Sequence, residues 1–80
     1  MNNIHEKIST LQSVLSDLVH AARPDYCVDV TQSDAVGRID VDVWRDESMD
    51  AAATLRLVVW ANAQTEAVAA VVVAAVRALP

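Results

Sequence analysis

Two alternating runs, Tyr26-Cys27-Val28-Asp29-Val30-Thr31 and Arg38-Ile39-Asp40-Val41-Asp42-Val43-Trp44, flank the polar stretch Ser33 to Gly37. Side chains two residues apart lie on the same side of a strand, so each run sorts its residues onto two faces. Tyr26, Val28, Val30, Ile39, Val41 and Val43 form an apolar face. Cys27, Asp29, Thr31, Arg38, Asp40, Asp42 and Trp44 form a polar one. Gly37 is the chain's only glycine and can take the positive φ that a tight connection needs. The reading is a β-hairpin.

Downstream, Asp46-Glu47-Ser48-Met49-Asp50 breaks the alternation and reads as a loop, with room for a helical turn begun at Ser48 or Asp50. Residues 54–61 resume it, with Leu55, Leu57, Val59 and Ala61 on one side and Thr54, Arg56, Val58 and Trp60 on the other. That pattern predicts a third strand, and a helix starting near Ser48 is the competing reading. Setting Val43 opposite Leu55 keeps the apolar faces matched. The same register puts Asp42 beside Arg56 and Arg38 beside Trp60, an ion pair and a cation–π contact.

Both flanks of this region have a helical period. Ile4, Ile8, Leu11, Leu15, Leu18, Val19 and Ala22 recur at three- and four-residue spacing, and they predict a helix over residues 4–22. Asn3 and Glu6 stand in capping-box positions, and Pro24 stops the helix beyond Arg23. The last helix contains Ala67 to Val76, ten consecutive Ala and Val residues, with Asn62 as its expected cap and Glu66 and Arg77 suited to its dipole. A helix apolar all round buries two faces. Val68, Val72, Val76 and Leu79 are expected on the sheet, and Ala69, Ala70 and Val73 on a second copy of the chain. The whole is an α+β domain of 80 residues, ordered α-β-β-β-α, with a three-stranded antiparallel sheet and two helices packed on one face.

Composition excludes several function classes. The net charge is −5, and Asp25 to Asp50 holds eight acidic residues against Arg38 and Arg45, which repels nucleic acid. The N-terminal residues MNNIHEK lack a secretory pattern, and the ten-residue apolar run is about half a membrane span. With Cys27 as the single cysteine, a reducing cytoplasm is expected. His5 and His20 lie roughly 22 Å apart on one helix, too far to share a metal. No EF-hand spacing surrounds Asp40 and Asp42, and no nucleophile–base motif or phosphate loop is present. Neither a cofactor nor catalysis is expected.

The polar sheet face is the candidate site. Asp29, Asp40, Asp42, Asp46 and Glu47 supply negative charge, while Trp44, Trp60 and Arg56 are residue types enriched at interface centres. The tryptophans either anchor a partner or shield the sheet. The element order is similar to that of the double-stranded-RNA-binding domain. That family's lysine-rich start of the last helix reads here Asn62-Ala63-Gln64-Thr65-Glu66-Ala67, and its Gly-Pro-x-His loop reads Ser33-Asp34-Ala35-Val36-Gly37. Its RNA grip is therefore not implied. In size, charge and lack of motifs the chain also resembles small phage-encoded inhibitors, anti-CRISPR proteins among them, which implies blocking a basic surface of a larger protein. The expectation is a cytoplasmic, homo-oligomeric inhibitor or adaptor; the alternative is an assembly subunit that self-associates through the last helix.

Overall fold

A computed structural model describes residues 4–34, 36–45 and 55–80. The elements are α1 (Ile4–Ala22), β1 (Tyr26–Gln32), β2 (Arg38–Arg45), β3 (Leu55–Trp60) and α2 (Thr65–Arg77). The strands form one antiparallel sheet in the order β1-β2-β3. Val43 pairs with Leu55, Asp42 with Arg56 and Arg38 with Trp60, the register that the apolar pattern requires. Leu55–Trp60 is a strand, which removes the competing helix over those residues. Gly37 takes φ 76° in the hairpin connection.

The apolar sheet face and the two helices close a single core. Leu11, Leu15 and Val19 come from α1, Tyr26, Val28 and Val30 from β1, and Ile39, Val41 and Val43 from β2. Val68, Ala69, Val72 and Val76 complete it from α2. Among the described residues no polar or charged residue is buried. β3 is covered less completely than its neighbours, because Leu55, Leu57 and Val59 are only partly buried.

α2 packs chiefly along α1 and makes a smaller contact with β3. It begins later than Asn62. Residues 61–63 form a turn in which the Ala63 N–H donates to the Trp60 carbonyl at 2.9 Å, and Gln64 is the N-cap, without a side-chain cap bond. Lys7 holds this turn from α1, donating Nζ to the Ala63 carbonyl at 2.7 Å and to Thr65 Oγ1 at 3.3 Å. At the other end Arg23 donates to the carbonyls of Val76 (3.3 Å), Leu79 (2.7 Å) and Pro80 (3.0 Å). A cation at the carbonyl end of α2 also suits the negative end of the helix dipole.

The expected capping residue Asn3 lies outside the described residues, as do Thr54 and the loop from Asp46 to Asp50.

Candidate protein-binding face

Alternation along the three strands brings Asp29, Asp40, Asp42, Trp44, Arg56 and Trp60 onto the sheet face away from the helices, with Cys27, Thr31, Arg38 and Val58 between them. Asp46 and Glu47 lie outside the described residues.

Local pairing redistributes the charge. Arg56 Nε donates to Asp42 Oδ1 at 2.8 Å, and this bond, with the charge of Asp42, raises the Arg56 guanidinium above its ordinary pKa. Arg38 Nε donates to Asp40 Oδ1 at 3.1 Å, so it pairs with the next residue on its own face of β2. A cation–π contact over Trp60 is not formed. Instead the aromatic ring that meets arginines is Tyr26, with Arg23 4.8 Å and Arg45 5.9 Å from its centroid. Asp25 lies between those two guanidiniums, 3.9 Å from Arg23 and 3.5 Å from Arg45. Asp29 is exposed and sits directly opposite Asp42 in the register, where Arg56 already offsets the Asp42 charge.

The tryptophans differ. Trp60 is 56% exposed and Val58, two residues before it on the same face, is 46% exposed. Trp44 is half-buried, and its indole N–H is sealed from solvent without a hydrogen-bond partner. Cys27, its register neighbour, donates its thiol to the Trp44 carbonyl at 3.4 Å. An exposed apolar pair on β3 thus sits beside two arginine–aspartate pairs. Such a surface combines apolar area with paired charge. Among the described residues no cluster of three His, Cys, Asp or Glu side chains is placed to hold a metal. Nor is any described helix long and apolar enough to cross a membrane.

The self-association residues expected on α2 do not share one open face. Ala69 is 8% exposed and belongs to the protomer's own core, Val73 is partly buried and Ala70 is exposed. The cause is rotation of the helix toward α1, which turns the arc of Val68, Ala69, Val72 and Val76 inward. The open arc is Ala67, Ala70, Val71 and Ala74.

Sequence reasoning missed Gln12, which binds the outer edge of β1. Its Oε1 accepts from the Val30 N–H at 2.8 Å and its Nε2 donates to the Val28 carbonyl at 2.9 Å. A polar residue among the apolar repeats of α1 was the available signal.

No protein-family model matches the chain, and neither the curated proteins nor the solved structures yielded a significant match.

Proposed function

We propose that this chain is a protein-binding module, an inhibitor or adaptor whose open sheet face engages a basic surface of a larger protein. The observation that carries the reading is the pair Val58 and Trp60, both substantially exposed and adjacent on a face that also bears Asp29, Asp40 and Asp42. Single exposed apolar residues are ordinary, but a tryptophan contiguous with a valine and ringed by charged groups is the composition of an interface centre. Asp40 and Asp42 are already partnered by arginines, so the long-range attraction comes from Asp29, Asp34 and the net charge of −5. The lone cysteine suits a reducing cytoplasm.

The experiment is a low-salt pull-down followed by binding kinetics on the captured protein at several salt concentrations. Trp60→Ala is expected to raise the dissociation rate, with a loss of about 2 kcal/mol or more. Asp29→Asn is expected to slow association and flatten its salt dependence. Salt-independent affinity, together with a Trp60→Ala variant that binds like the parent, would refute the assignment of this face.

A further inference from the structure

The two edges of the sheet are treated differently. In an antiparallel pair, residues whose N–H and C=O engage the neighbouring strand alternate with residues whose groups point away from it. The Ser33 N–H donates to the Arg38 carbonyl, which in the β1–β2 register makes Cys27, Asp29 and Thr31 the engaged residues and leaves Val28 and Val30 facing outward. Gln12 bonds both of those, and the Tyr26 N–H is taken by the Arg23 carbonyl at 3.0 Å. Along the β1 edge, three of the outward backbone groups are thus taken within the chain, the Tyr26 N–H, the Val28 carbonyl and the Val30 N–H.

On the far side, the Ala61 N–H donates to the Gly37 carbonyl at 2.7 Å. Leu55, Leu57 and Val59 are therefore bonded to β2, while the backbone groups of Arg56, Val58 and Trp60 face outward. Of these, the Trp60 carbonyl is used by the turn to Ala63, and among the described residues no strand lies along this edge. Proteins usually guard such an edge with proline, a bulge or unpaired charge. β3 has no proline, and its single charge, Arg56, is neutralised by Asp42.

We propose that β3 pairs antiparallel with β3 of a second copy, about a two-fold axis through Val58, giving a continuous six-stranded sheet. This register sets Val58 against the partner's Val58 and Arg56 against the partner's Trp60. Every facing pair is chemically matched: on the outer face valine meets valine and guanidinium meets indole, and on the inner face Leu57 meets the partner's Val59. Trp60 is then flanked by Arg38 of its own sheet and Arg56 of the partner. The charge pattern names a like copy as the occupant, because residues 55–62 hold no acidic group in a chain of net charge −5. The approach of two such chains is least repelled there. The thinly covered inner residues Leu57 and Val59 gain an apolar neighbour from this contact, while the outer face that bears Val58 and Trp60 stays open across the joined sheet. The dimer does not depend on the basic-partner reading, since it is a property of the chain alone.

The test is sedimentation of the isolated chain from about 1 to about 500 μM, a range that spans the affinities of small interfaces. The mass is expected to rise from 8.6 kDa toward twice that value. Val58→Pro removes an N–H that the protomer does not use, so the variant should keep its circular dichroism and weaken association at least about 10-fold. In a Cys27→Ser background, oxidised Val58→Cys should cross-link to itself, because opposed bonded residues lie about 5.5 Å apart at Cα, within disulfide reach. Arg56→Cys should not, its copies being about 13 Å apart along the strands. A monomer at every concentration would overturn the proposal. So would association that survives Val58→Pro and is lost in Val71→Glu, which would move the contact to α2.

Discussion

At Gln12 one side-chain amide does for β1 what a single residue of a fourth strand would, offering an acceptor to the Val30 N–H and a donor to the Val28 carbonyl. Gln12→Leu should lower unfolding stability by about 1–3 kcal/mol, since two backbone groups lose their partner. Urea denaturation reads the loss. Arg23 is a comparable case, with donors on one carbonyl in the last turn of α2 and two beyond its end, and its guanidinium over Tyr26. Its replacement by Ala should cost about 1–3 kcal/mol and speed amide exchange in the last turn of α2. Neither role is legible in the sequence. The partners of Gln12 lie 16 and 18 residues away and those of Arg23 more than 50, so the contacts depend on how the helices cross, which periodicity does not encode.

Among elements, the strands were readable and the rotation of the last helix was not. A period of two has a single solution once one face is apolar, and shifting the register by one residue would expose Val41 and Val43, both fully buried. The pairing of Val43 with Leu55 and Asp42 with Arg56 therefore follows from the pattern. α2 offers no such contrast, since Ala and Val surround it and only packing on α1 decides which arc turns inward. That left Ala69 assigned to a second copy when it lies in the protomer's own core. Two neighbouring valines test the observed rotation. Val72, fully buried, should cost about 2 kcal/mol on replacement by Ala, whereas Val71, 57% exposed, should tolerate the same change with little loss of stability. Equal effects at the two positions in thermal or urea unfolding would contradict the assignment. The site was legible to the same degree as the strands: alternation placed its residues on one face, but only the structure shows that Arg38 turns to Asp40 and leaves Trp60 open.

For the whole molecule, the asymmetry of the sheet is the organising fact. α1 lies over β1 and engages its edge through Gln12, α2 lies mainly on α1, and β3 has, among the described residues, no strand along its outer edge, an exposed outer face and a half-covered inner face. Burial within the chain and the proposed contact with a second copy thus fall on opposite sides of the molecule. Residue-resolved amide hydrogen exchange, run at low and at high protein concentration, tests this division most directly. The Val30 amide, held by Gln12, should be protected at both concentrations. The Val58 amide should exchange rapidly in the dilute sample and become protected in the concentrated one. Protection of Val58 in the dilute sample would show that the edge is already closed within the protomer, and rapid exchange at both concentrations would show that no second copy docks there.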